Sequence, residues 1–94
     1  MEKIGLVTIT YNSANVIRDF LESTFSQTFQ NFVIYIIDNN SQDDTLEILT
    51  EYTDSRIELV KNKENLGVAK ANNQGIELAL KDSCTQVLII NNDV

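Results

Sequence analysis

The sequence predicts an α/β fold: a three-layer parallel sheet built in β-α-β-α-β-α-β order. Three observations lead there. β-rich apolar runs alternate with segments whose apolar residues recur at helical spacing. The connections between them are short. The run from Phe32 to Ile37 (Phe-Val-Ile-Tyr-Ile-Ile) is apolar on both faces, as a central parallel strand covered on both sides must be. Strands joined by helices imply a parallel sheet with right-handed crossovers.

Taken in order, Ile4 to Thr10 reads as a buried strand. Ser13 is placed to cap the following helix, whose residues Val16, Ile17, Phe20, Leu21 and Phe25 form one apolar stripe. Phe32 to Ile37 is the second strand. Asp43 and Asp44 favour a helix N-terminus, and Leu46, Leu49 and Tyr52 continue that helix. Arg56 to Lys61 is a short third strand, Val68 to Leu80 a third helix, and Val87 to Ile90 a fourth strand running into Asn91-Asn92-Asp93-Val94. The last strand is then expected to be a sheet edge, or to pair with a second copy in an oligomer. A parallel sheet normally has helices on both faces, so residues 1–94 are expected to be the first part of a larger domain.

Composition narrows the chemistry. A formal charge of −7, with seven scattered basic residues, argues against binding nucleic acid or anionic lipid. Cys84 is the single cysteine and histidine is absent, which excludes an intrachain disulfide, Ser-His-Asp and Cys-His catalysis, and His-ligated zinc. A metal would need oxygen ligands, which favours Mg²⁺ or Mn²⁺. The N-terminus lacks the pattern of a signal peptide and no apolar run is long enough to span a bilayer, so a cytoplasmic location is expected.

Ligands of open α/β sheets bind beyond the carboxyl ends of the strands. Those ends carry Thr10-Tyr11-Asn12, Asp38-Asn39-Asn40-Ser41, Lys61-Asn62-Lys63 and Asn91-Asn92-Asp93. Asp38 can accept a hydrogen bond from the ring N3–H of uracil or thymine, or can cap backbone N–H groups of its own turn. Asp93 is the natural ligand for a cation on a nucleotide diphosphate, and Asn92 can add an amide oxygen or orient the turn. Gly67 suits either an anion at the start of the third helix or a tight turn. Gly75, inside that helix, implies close packing.

These elements together resemble family 2 glycosyltransferases. The resemblance rests on Thr10-Tyr11-Asn12, on Ile37-Asp38-Asn39-Asn40-Ser41-Gln42-Asp43, on Asn65-Leu66-Gly67 with Ala71, Asn73 and Gly75, and on Asn91-Asn92-Asp93 as a variant Asp-x-Asp element. It implies a Rossmann-like GT-A fold and sugar transfer from a UDP- or dTDP-sugar, with inversion, to a glycan or lipid-linked acceptor. Thr10, Tyr11 and Asp38 would hold the base, with Asn12, Asn40, Gly67 and Asn92 completing the nucleotide pocket. Asp93 would hold Mg²⁺ or Mn²⁺. The general base and the acceptor pocket would lie beyond Val94, so no catalytic residue is assigned within the chain, and the chain alone is expected to bind nucleotide without turnover. Two departures stand out: Ala71-Asn72-Asn73 stands where many members resembling this chain carry Ala-Arg-Asn, with the arginine near the diphosphate, and Asn91 stands where the first acid of Asp-x-Asp usually does.

Three rivals fail on residues. A phosphate-receiving signalling domain needs an acid pair after strand one and an aspartate after strand three, where Tyr11-Asn12 and Lys61-Asn62 stand. A dinucleotide oxidoreductase needs a glycine-rich turn after strand one, and Thr10 to Ala14 contains no glycine. A nucleotidyltransferase needs a glycine-rich basic loop at the same place. A non-catalytic nucleotide-binding module remains the alternative to a transferase.

Overall fold

The computed structural model describes residues 2–92. Its strands are β1 (Ile4–Thr10), β2 (Phe32–Asp38), β3 (Ile57–Lys61) and β4 (Gln86–Ile89), and its helices α1 (Ile17–Phe25), α2 (Thr45–Thr50) and α3 (Val68–Lys81). The four strands form one sheet in the order β3-β2-β1-β4, and every pairing is parallel. The expected α/β architecture is therefore present, with β1 and β2 at the centre.

The period-two alternation of the central strands divides the core into two layers. Leu6, Ile34 and Ile36 face α1 and α2, where they meet Ile17, Leu21 and Leu49. Val7, Tyr35 and Ile37 face α3, where they meet Ala71 and Ala79. Small residues on α3 let it approach closely. A Cβ added at Gly75 would press on Val7 Cγ2 at 2.9 Å, so the close packing expected there is real. Tyr35 ties the far end of α3 to β2 by donating its hydroxyl proton to Asp82 Oδ2 at 2.7 Å. Burial, and then the Asp82 contact, push the Tyr35 phenol above its ordinary pKa.

Two local expectations are corrected. Ser13 does not cap α1 with its side chain: its Oγ turns back to accept from Tyr11 N at 3.1 Å, and α1 has no side-chain cap. Its carbonyl instead accepts from Val16 and Ile17, starting the helix through a turn. Helix α2 stops at Thr50, short of Tyr52. The Glu51 and Tyr52 N–H groups bond to the carbonyls of Ile48 and Leu49, the tightened i→i+3 closure common at helix ends.

β4 lies at the sheet edge, and Leu88 and Ile89 are about half exposed there. On the α1 side of this edge, an apolar hollow of about 600 Å³ opens between Phe20, Phe29, Phe32 and Leu88. No helix of the described residues is long and apolar enough to cross a membrane.

Gly75→Ala should lower stability despite improving helix propensity. The helix gains about 1 kcal/mol, but overpacking against Val7 costs about 1–3 kcal/mol. Chemical denaturation measures the sign, and a raised midpoint would contradict the close-packing account.

Candidate nucleotide-binding site

The carboxyl rim is organised by Asp38, the last residue of β2, which has no solvent exposure. Its Oδ1 accepts hydrogen bonds from Thr10 Oγ1 at 2.7 Å and Ser41 Oγ at 2.6 Å, while Oδ2 accepts from Ser41 N at 2.9 Å. Thr10 comes from the neighbouring strand β1, whose register sets it directly against Asp38. The carboxylate therefore bonds to its own turn, as Asp often does, and also to β1.

These bonds extend into the loop after β1. Ser41 Oγ accepts from Asn12 N at 2.9 Å, and Asn12 Oδ1 accepts from Gln42 N at 2.8 Å. Asn12 and Asn40 both have positive φ, 51° and 68°, a conformation Asn tolerates better than most residues. Asp43 Oδ2 accepts from Ala14 N at 3.2 Å, and its Oδ1 accepts from the backbone and hydroxyl of Thr45. Burial pushes the Asp43 carboxyl up, but these donors outweigh it and hold the group below its ordinary pKa.

Asn39 is a second hub, buried at the rim. Its Oδ1 accepts from Asn62 Nδ2 at 3.0 Å and Leu66 N at 3.4 Å, and its Nδ2 donates to Gly67 O at 3.3 Å. Gly67 precedes α3 at φ 84°, a backbone that favours glycine, and its N–H is engaged by Asn65 Oδ1 at 2.9 Å. Asn92 ties the end of β4 to β1 by donating from Nδ2 to Thr8 Oγ1 at 2.9 Å and Ile9 O at 2.7 Å.

Between the ends of β1 and β4 and the first turns of α1 and α3 lies an open cleft of about 440 Å³. Tyr11, Asn12 and Asn92 line it together with Val68, Asn72 and Ile89. Thr10 and Asp38 are fully buried and are not among its walls; Asn40 and Gly67 stand on flanking loops. Asp93 lies outside the described residues. Among the described residues no group of three carboxylate, histidine or cysteine side chains could hold a metal. Asn39, Ser41 and Asn72 gain their importance from contacts or burial that nothing local in the sequence announces.

Residues 6–94 match the profile of glycosyl transferase family 2. The chain belongs to that family. It is similar to the Escherichia coli protein named UDP-Glc:alpha-D-GlcNAc-diphosphoundecaprenol beta-1,3-glucosyltransferase WfaP, with 38% identity over 79 residues, 84% of this chain and 32% of that protein. It is 31% identical over 88 residues to glycosyltransferase GlyG of Streptococcus pneumoniae serotype 4, covering 92% of this chain and 29% of that protein. The chain thus spans about a third of the length of these relatives. Among solved structures, S. aureus TarS 1-349 in complex with UDP-GlcNAc aligns with TM-score 0.82 and 26% identity, over 97% of this chain and 26% of that one. The family 2 chain has the GT-A fold of that structure.

Thr10→Val keeps the side-chain shape but removes a donor from the Asp38 carboxylate. It should cost about 1–3 kcal/mol in stability, as expected for a hydrogen bond to a charged or buried acceptor. Denaturant titration checks this, and an unchanged midpoint would mean that Ser41 alone satisfies Asp38.

Proposed function

We propose that residues 1–94 form the donor-binding part of an inverting glycosyltransferase that takes a UDP- or dTDP-linked sugar. The observation that carries this reading is the cleft on the carboxyl rim, where Tyr11, Asn12 and Asn92 converge in a family 2 chain. That is the position at which open parallel sheets bind ligands. The E. coli relative, whose name gives UDP-Glc as donor and a diphosphoundecaprenol-linked sugar as acceptor, and TarS with its UDP-GlcNAc support a nucleotide-sugar ligand. The acceptor in the name of the E. coli relative supports a glycan or lipid-linked acceptor.

Asp93 is the proposed ligand for Mg²⁺ or Mn²⁺, which when bound would neutralise charge on the leaving diphosphate. The described residues do not by themselves make a metal site. They position the nucleotide: Asp38 holds Thr10 and Ser41, these hold the loop carrying Tyr11, and Asn92 fixes the approach of β4. No described residue stands out as a general base for the acceptor hydroxyl, and that group is assigned to the protein beyond Val94. The reading therefore includes nucleotide binding without sugar transfer by residues 1–94 alone.

Calorimetric titration with UDP, dTDP and GDP, each with and without Mn²⁺, tests the proposal. Uptake of UDP or dTDP but not GDP, strengthened by Mn²⁺ and lost in Asp38→Ala, is the expected result. Equal binding of all three nucleotides, or none by a folded sample, would overturn it.

A further inference from the structure

Helix α3 is held to the sheet unevenly. Its buried residues are Ala71, Gly75 and Ala79, one small residue per turn. Such a stripe brings the helix close, as Gly75 does over Val7. It drives no large side chain into a groove of the sheet, so it does little to fix the helix along its axis. Side-chain hydrogen bonds fix it at two places. Just past the carboxyl end, Tyr35 donates to Asp82. In the amino-terminal half the tie is Gln74.

Gln74 and Asn62 exchange two hydrogen bonds. Asn62 Nδ2 donates to Gln74 Oε1 at 2.9 Å, and Gln74 Nε2 donates to Asn62 Oδ1 at 3.0 Å. Asn62 gives its other amide proton to Asn39 Oδ1 at 3.0 Å, so its carboxamide has no proton left for another group. Asn39 in turn bonds to Leu66 N and Gly67 O. The three amides thus close a ring that runs from the end of β2, through the residue after β3, to the second turn of α3. The connection between them passes through Lys63, Glu64 and Asn65, all exposed. Neither Gln74, Asn62 nor Asn39 lines the cleft, whereas Val68 and Asn72, in the first turns of α3, do.

We propose that Gln74 is a positioning residue for the nucleotide: through Asn62 and Asn39 it fixes the connection from β3, and the first turns of α3, at the spacing the cleft requires. The inference rests on the donor-site reading above and leaves every ligand contact where that reading puts it. An amide bonded through both its ends is ordered before the ligand arrives, so its loss moves an ordering cost onto binding. The Tyr35–Asp82 contact lies roughly 12 Å further along the same helix. It supports the fold without bordering the cleft, and so gives the comparison that separates positioning from general support.

The test measures UDP affinity by calorimetry, and amide hydrogen exchange, on the original chain, Gln74→Met, Asn62→Ala and the double variant, with Tyr35→Phe for comparison. Gln74→Met keeps the length of the side chain and removes both bonds. At a temperature where every form is folded, it should weaken UDP binding about fivefold or more. It should also speed exchange at the Leu66 amide. The double variant should bind within about twofold of Asn62→Ala alone, because the two residues act as one unit. Tyr35→Phe should lower the thermal midpoint and leave UDP affinity within about twofold of the original. Unchanged affinity in Gln74→Met overturns the proposal. So does an equal loss in Tyr35→Phe, which would make Gln74 a general support of the helix, and so do fully additive losses in the double variant. Failure of UDP to bind the original chain, with Leu66 exchange still faster in Gln74→Met, would overturn the donor-site reading and leave the tie purely structural.

Discussion

A carboxylate with no exposure to solvent must be met by donors inside the protein, and the donors that Asp38 recruits shape the functional rim. Thr10 reaches it from β1 and Ser41 from the turn after β2. Because the Ser41 hydroxyl gives its proton to Asp38, its oxygen is left to accept from Asn12 N, which draws in the loop after β1. Bonds in such a chain strengthen one another. One buried acid therefore sets the direction of a hydroxyl, the path of two loops and the outward display of Tyr11.

The rest of the rim follows the same economy of short polar side chains. Asn39 joins the loop after β2 to those around Asn62 and Gly67, and Asn62 exchanges two hydrogen bonds with Gln74 on α3. Gly75 brings α3 close to β1, so the first turns of that helix stand beside the strand ends. Asn92 ties β4 to β1. All four strand ends are held by polar contacts before any ligand arrives, which lowers the ordering cost of binding.

The fold was largely legible because its signals are local. The unbroken apolar run of β2, the apolar stripe of α1 and the glycine at position 75 each have a physical meaning within a few residues. What misled was competition from distant groups. Ser13 looks like a helix cap, yet its N–H is taken by Thr45 Oγ1 and its hydroxyl by Tyr11 N, neither of which the local pattern announces. Tyr52 keeps the helical spacing of α2, but the chain has already tightened at Thr50. At the site, the sequence identified the loops and not the atoms. Both readings of Asp38 were open, and the contacts that Asn39 and Ser41 make lie in three dimensions.

Asn72 shows how the same position changes meaning once its surroundings are known. In the sequence it reads as a lost arginine, a missing charge near a diphosphate. In the structure its Oδ1 is buried without a donor among the described residues, beside a cleft that no charged side chain of those residues lines. A diphosphate beside an aspartate, on a chain of net charge −7, is repulsive unless a cation stands between them. On the proposed reading, the missing arginine leaves the charge of the leaving diphosphate to a divalent ion, for which the sequence offers Asp93.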